Sequence, residues 1–333
     1  MTRPAVLIAR NVFPETVQRL AAFFDLETNP EDRIFAAAEL SARLAGKAGA
    51  FITGSERIDA ALLDAHPQLK AVCNMAVGYN NIDVPACTAR GVLASNTPDV
   101  LTETTADFGF ALMMATARRM AEGERFLRRG EWTKWAYDMF TGSDIHGATL
   151  GVLGMGRIGQ AIARRGALGF GMQVVYHNRS RLDASIEAQL GARYVSKEAL
   201  LREADHLVIV VPYSSASHHA IGAAELGSMK PTATLTNIAR GGVVDDAALA
   251  VALSRGQIAA AGLDVFEGEP ALNPALLSLP NVVLTPHIAS ATVATRRAMA
   301  ELAADNLIAA LGFGPAAGRP PTPINGEVLR RAG

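Results

Sequence analysis

The segment Leu150-Gly-Val-Leu-Gly154-Met-Gly156-Arg-Ile-Gly159 constrains this chain more than any other stretch. An apolar, strand-sized run leads into G-x-G-x-x-G, and a helical pattern follows. Gly154 permits a tight turn, Gly156 lets the backbone approach a pyrophosphate, and Gly159 lets strand and helix pack closely. Phosphates then sit at a helix N-terminus, where free N–H groups and the dipole favour negative charge. A bare glycine triplet is weak evidence. Here the preceding strand, the following helix and the next strand near Val174 supply the context of a dinucleotide-binding βαβ unit.

The end of that next strand bears on which dinucleotide binds. An acidic residue there would accept from ribose hydroxyls, as in NAD enzymes. This chain reads Val175-Tyr-His-Asn178-Arg179-Ser180-Arg181, with no carboxylate before Asp183. A neutral Asn followed by arginines and a serine suits a 2′-phosphate, so NADP(H) is expected to be preferred, with NAD(H) possible. The alternative is a solvated loop carrying surface arginines.

Short apolar runs alternate with helical stretches along the whole chain, the pattern of α/β architecture with parallel sheets. Near the N-terminus strands are expected at Ala5–Ala9, Ala50–Thr53, Ala71–Asn74 and Val92–Ser95. A single long helix is expected over Thr102–Arg129, joining two domains. Six more strands follow, at Thr149–Gly154, Gln173–Tyr176, His206–Val211, Thr232–Ile238, Ala260–Val265 and Val282–Leu284. Another helix, Ala291–Leu311, precedes a Gly/Pro-rich tail. The expectation is two Rossmann-like, doubly wound parallel-sheet domains. Residues 99–288 form the dinucleotide-binding domain, inserted in a discontinuous, flavodoxin-like substrate domain of residues 1–98 and 289–333.

Composition narrows the function classes. The 333 residues carry a formal net charge of -1, without the basic excess of a nucleic-acid binder. No apolar run approaches the roughly 18 residues that span a bilayer, and no signal peptide is evident. Cys73 and Cys87 have no metal-ligand spacing and read as core residues of a cytoplasmic protein. His218 and His219 are adjacent, so on one helix they would point apart. No acidic or Cys partner follows them at metal spacing, and no metal site is expected.

Three residues at strand ends carry chemistry: Arg240 in Asn237-Ile-Ala-Arg-Gly241, Glu269 in Gly262–Pro270 and His287 in Pro286-His-Ile-Ala-Ser290. Ligands in open α/β sheets bind beyond the carboxyl ends of strands. Reducing a 2-keto acid needs a carboxylate clamp, a proton donor and a group that keeps that donor protonated. Arginine, histidine and glutamate supply these. Taken singly, each could be an ordinary surface or loop residue; together with the glycine turn they form a constellation.

At these segments the chain resembles the D-isomer-specific 2-hydroxyacid dehydrogenase family, over about Ala5 to Asn325. Within it the chain is most similar to the glyoxylate/hydroxypyruvate reductase subgroup, including 2-ketogluconate reductases. The similar stretches include Val100–Asp107, Gly130-Glu-Trp132 and Ala259–Phe266. The resemblance implies Arg240, Glu269 and His287 as catalytic residues. It implies cofactor contacts from Thr105, Gly154, Gly156, Arg157, Ile158, Gly159, Asn178, Arg179, Ser180, Val211, Pro212, Ile238, Ala239 and Asp264. Val77 and Gly78, in a loop whose N–H groups would bind the substrate carboxylate, join Arg240 and Ser290 as substrate contacts. A homodimer is implied, with Trp132, Trp135 and Tyr137 on a segment packing against the partner. Met139 lies on a segment that in relatives can reach the neighbouring subunit's site. Ala289 departs from the common His-Ile-Gly-Ser motif, which puts substrate range in doubt.

Two other readings use the same scaffold. A phosphite dehydrogenase would carry Lys where this chain has Val77, and a doubly charged oxyanion needs that cation. A nicotinamide-sensing, corepressor-like binding protein keeps the same triad, but has long disordered extensions that this chain lacks.

Overall fold

The computed structural model describes residues 3–330. The chain divides into two compact units, Met1–Leu101 with Thr292–Gly333, and Thr102–Ala291. Both junctions fall three residues later than expected from the sequence.

The first unit is built on a five-stranded parallel sheet of β1 (Ala5–Ile8), β2 (Asp25–Glu27), β3 (Gly49–Ile52), β4 (Ala71–Asn74) and β5 (Leu93–Ser95), in the order β2-β1-β3-β4-β5. This is the flavodoxin-like order. β1, β3, β4 and β5 are almost wholly buried. That is why they read as continuous apolar runs rather than alternating ones. One apolar cluster gathers Leu7, Leu40, Leu44, Ile52 and Val72. Another joins Val6, Ile8, Phe51 and Leu93 to Ala300, Ala304 and Leu307 of the helix Val293–Ala310. The last long helix thus completes a sheet made by the first hundred residues.

The second unit holds seven parallel strands: β6 (Thr149–Leu153), β7 (Gln173–His177), β8 (Ala192–Tyr194), β9 (His206–Ile209), β10 (Thr234–Asn237), β11 (Ala260–Leu263) and β12 (Val282–Leu284). Their order is β12-β11-β10-β9-β6-β7-β8. Counted from β6, this is the 3-2-1-4-5-6 order of dinucleotide-binding sheets with one further edge strand. The sequence expectation of six strands omitted β8, as it omitted β2. Both are three-residue edge strands, one bearing two acids and the other an arginine. Short, charged edges resist unwanted pairing and give little periodic signal.

The helix expected over Thr102–Arg129 is two helices, Thr102–Ala117 and Met120–Arg128. Arg119 between them is left-handed, with φ 52°. The Ala117 carbonyl accepts from the N–H of Ser143 at 2.9 Å, so the returning chain docks on the break. The first helix lies against the sheet through small residues: a Cβ on Gly109 would sit 2.5 Å from Ile238 Cδ1, and one on Gly262 would sit 2.9 Å from Leu112 Cγ.

Candidate active site

The glycine turn links β6 to the helix Arg157–Arg164. Gly154 has φ +102° and lies within 2.8 Å, at its would-be Cβ, of the Val211 N–H. A Cβ on Gly159 would collide with the Gly154 carbonyl at 2.2 Å, so a side chain there would push the helix off the strand. A Cβ on Gly156 would meet no protein atom within 4 Å. Space is therefore kept open beside a helix N-terminus, which is what a pyrophosphate requires. Ile158 lies in the first turn of that helix, and Arg157 is exposed.

Asn178 follows β7, and its Oδ1 accepts from the Met155 N–H at 2.9 Å. The expected ribose-side residue thus also fixes the glycine turn. Arg179 and Ser180 are exposed. Arg181, read from sequence as a further donor for a 2′-phosphate, is instead held by Glu187 at 2.7 Å, and Glu187 also accepts from Tyr176 Oη. Beyond β9, Val211 flanks the turn, Pro212 is exposed and its carbonyl accepts from Ser217 Oγ. Thr105 Oγ1 is buried and has no hydrogen-bond partner among the described residues. The cradle, the helix terminus and this orphan hydroxyl together fit a dinucleotide.

Arg240 follows β10 in a turn shaped by Asn237, whose Oδ1 accepts from the Ala239 N–H at 3.0 Å. Ile238 and Ala239 are buried beneath it. Burial draws the Arg240 guanidinium below its ordinary value, and the charge of Glu269 partly offsets this. It remains a cation throughout the physiological range. Gly241 is where two turns meet: a Cβ there would sit 1.7 Å from the Phe266 carbonyl oxygen. Only glycine allows that backbone contact, which sets the Arg240 turn against the turn carrying Glu269.

His287 Nδ1 and Glu269 Oε2 are 2.8 Å apart. The other Glu269 oxygen accepts from the Phe266 N–H at 2.8 Å. Partial burial pushes Glu269 up, but the bonds from His287 and Phe266 and the charges of His287 and Arg240 outweigh it, so its carboxyl lies below the usual range. An ionised glutamate on Nδ1 leaves Nε2 as the face that can carry a proton to a ligand.

Asp264, expected on the nicotinamide side, is fully buried, and its carboxylate shapes the histidine turn. Oδ1 accepts from the Ile288 N–H at 2.8 Å and from Thr285 Oγ1 at 2.7 Å, and Oδ2 from the Ala289 N–H at 2.8 Å. The Asp264 carbonyl accepts from the His287 N–H at 2.9 Å. Those bonds hold His287 at φ 55°, left-handed backbone that a histidine adopts only when its surroundings impose it. Ala289 is buried, and Ser290 is half-buried next to it.

Val77 and Gly78 belong to the first unit, in a loop after β4. Cys73 and Cys87 are buried and unpaired there, and burial pushes their thiols up to about 12 and about 11.

One cluster escaped the sequence reading. His218 and His219 lie in a turn rather than on one helix, and their rings stack with centroids 3.9 Å apart and planes 24° from parallel. His219 Nε2 meets Glu267 Oε1 at 2.6 Å, an acidic partner 48 residues away. Glu267 and Asp246 also exchange bonds, Glu267 N–H to Asp246 Oδ2 at 3.0 Å and Asp246 N–H to Glu267 Oε2 at 3.3 Å. Candidate ligand atoms of His218, His219 and Glu267 lie within 4.8 Å of one another. Imidazole lone pairs lie in the ring plane, however, and stacked rings do not aim them at one point. The cluster is better described as a hydrogen-bonded brace on the turn that precedes Glu269.

A dinucleotide cradle and an Arg–Glu–His set on one parallel sheet define a nicotinamide-dependent oxidoreductase. Residues 110–289 match the family model described as D-isomer specific 2-hydroxyacid dehydrogenase, NAD binding domain. The chain is 48% identical to a glyoxylate reductase of Thermococcus onnurineus over 98% of its own length and 97% of the relative's. Among solved structures it is similar to an NADPH-dependent glyoxylate/hydroxypyruvate reductase of Sinorhizobium meliloti, in complex with NADP and malonate. That likeness has a TM-score of 0.85 and 38% identity, covering 97% of each chain. A glyoxylate reductase from Paecilomyes thermophila gives a TM-score of 0.86 at 32% identity, covering 98% of this chain and 100% of that one. The chain belongs to the D-isomer-specific 2-hydroxyacid dehydrogenase family, in its glyoxylate reductase subgroup.

Proposed function

We propose that the protein reduces small 2-keto acids, glyoxylate and hydroxypyruvate foremost and 2-ketogluconate as a further candidate, to D-2-hydroxy acids with NADPH. The observation that carries this reading is the His287–Glu269 pair at 2.8 Å, on a turn packed against that of Arg240. When bound, the nicotinamide supplies the hydride. His287 Nε2 gives its proton to the carbonyl oxygen as negative charge develops there, and Glu269 orients and neutralises the imidazolium. Arg240 grips the carboxylate through its planar fork. The N–H groups of Val77 and Gly78, and Ser290, are further proposed substrate contacts.

NADPH is favoured by the absence of a carboxylate between β7 and Asp183, and by the exposed Arg179 and Ser180. The Sinorhizobium relative is itself described as NADPH-dependent. We also assign a homodimer. Met120, Leu127, Trp132, Trp135 and Tyr137, all large apolar or aromatic side chains within eighteen residues of one another, are exposed, and such a segment suits burial against a second copy.

Steady-state loss of reduced-cofactor absorbance with each of the three keto acids, using NADPH and then NADH, tests the reaction. Turnover faster with NADPH is expected, and His287→Gln should lower kcat by about 100-fold or more while cofactor affinity stays unchanged. Tight cofactor binding without turnover of any of the three would instead favour a nicotinamide-binding regulator.

A further inference from the structure

The loop after β4 turns its carbonyls inward, one after another. Ala76 O accepts from the Thr97 N–H at 2.9 Å, and Tyr79 O from the Ile82 N–H at 3.0 Å. Between them, Val77 O accepts from Asn96 Nδ2 at 2.8 Å and Gly78 O from Asn74 Nδ2 at 3.0 Å. These peptides are trans, so each N–H points opposite to the carbonyl of the residue before it. Fixing the carbonyls of residues 76, 77 and 78 therefore aims the N–H groups of Val77, Gly78 and Tyr79 the other way. None of those three N–H groups has an acceptor among the described residues.

The two asparagines are themselves locked. Asn74 ends β4 and is 0% exposed. Asn96 directly follows β5; its N–H donates to Thr322 O at 3.4 Å and its carbonyl accepts from Thr322 Oγ1 at 2.6 Å. Asn81 anchors the far end of the loop through Nδ2 bonds to Thr53 O at 3.0 Å and Glu56 O at 2.9 Å. Three successive N–H groups without an internal acceptor, beside strand ends that fix the loop, are donors available to an anion.

We propose that Asn96 and Asn74 are positioning residues, which hold the loop carbonyls inward so that the N–H groups of Val77, Gly78 and Tyr79 form a three-donor cradle for a carboxylate. This rests on the reading above that the loop binds the substrate carboxylate, and extends it by naming what aims the donors and by adding Tyr79. Asparagine suits the task because its amide donates while carrying no charge that would compete with the ligand. An aspartate of the same shape would only accept, and would repel both the loop carbonyl and the anion.

The test combines catalysis with a direct probe of the loop in the full-length protein bound to NADP+. Asn96→Leu and Asn96→Asp should raise KM for the keto acid roughly tenfold or more, with kcat changed far less and NADP+ affinity unchanged. Calorimetric affinity for oxalate should fall by a similar factor. In protein labelled with 15N-tyrosine, where only five tyrosines contribute, the Tyr79 amide (assigned with Tyr79→Phe) should shift as oxalate saturates the wild type. A Tyr79 amide that stays put at saturation overturns the proposal even if both variants fail to fold. So does a folded Asn96→Leu with unchanged KM and oxalate affinity. Oxalate-dependent shifts without turnover of any keto acid would leave the cradle standing and remove only the catalytic reading.

Discussion

Asp246 is a carboxylate whose surroundings disfavour its charge. Burial, with Glu267, Asp245 and Glu269 nearby, pushes it up from 3.8 to about 6, despite the bond from the Glu267 N–H. An acid whose folded pKa lies above its unfolded value binds its proton more tightly when folded. Its contribution to stability is therefore present at low pH and lost as pH rises from about 4 to beyond 6. Asp246→Asn mimics the protonated form, so relative to wild type it should gain about 1–3 kcal/mol between about pH 4.5 and about pH 7.5. Denaturant unfolding at the two pH values measures this, and an equal difference at both would refute the assignment. Nothing in the sequence pointed to Asp246 or to the partner of His219, because Glu267 is 21 and 48 residues away from them and only the sheet order brings them together. Arg240, Glu269 and His287 were legible for the opposite reason. Each follows a strand within a compact motif whose glycines and prolines announce a turn.

Among the elements, the turn after β10 and the turn after β11 depend on each other through Gly241. In Gly241→Ala the new methyl would meet the Phe266 carbonyl at 1.7 Å, an atom of the main chain that no rotamer change can move aside. A loss of roughly 1–3 kcal/mol in stability is expected, together with a fall in kcat as Arg240 and Glu269 separate. Chemical denaturation and turnover on one preparation check both, and a fully active, equally stable variant would show that the turns are independent. The sequence placed ten of the twelve strands, because buried parallel strands announce themselves by composition. It missed β2 and β8, three-residue edge strands that pair with one neighbour each and carry charged residues among few apolar ones. It also missed the break at Arg119, where no glycine or proline marks the left-handed residue and the cause is a docking segment further along the chain.

On the scale of the whole molecule, the sign of a discontinuous first unit was the long helix at each end of the second series of strands. The dimer is the expectation that belongs here. Trp135 is 74% exposed and Tyr137 90%, on a segment without regular structure. Sedimentation equilibrium should give twice the 35.0 kDa chain mass, and replacing Trp135 and Tyr137 with serine should shift it toward a single chain. A wild type that sediments as one chain at every concentration would rule the dimer out. The helix Val293–Ala310 also has a consequence in time. Ala300, Ala304 and Leu307 pack with Val6, Ile8, Phe51 and Leu93, residues made roughly two to three hundred positions earlier. As the chain leaves the ribosome, the second unit is contiguous and can close on itself. On one greasy face of the first sheet only the early helix Pro14–Ala21 is in place until the final helix arrives, and through most of synthesis the uncovered remainder is what a chaperone would find.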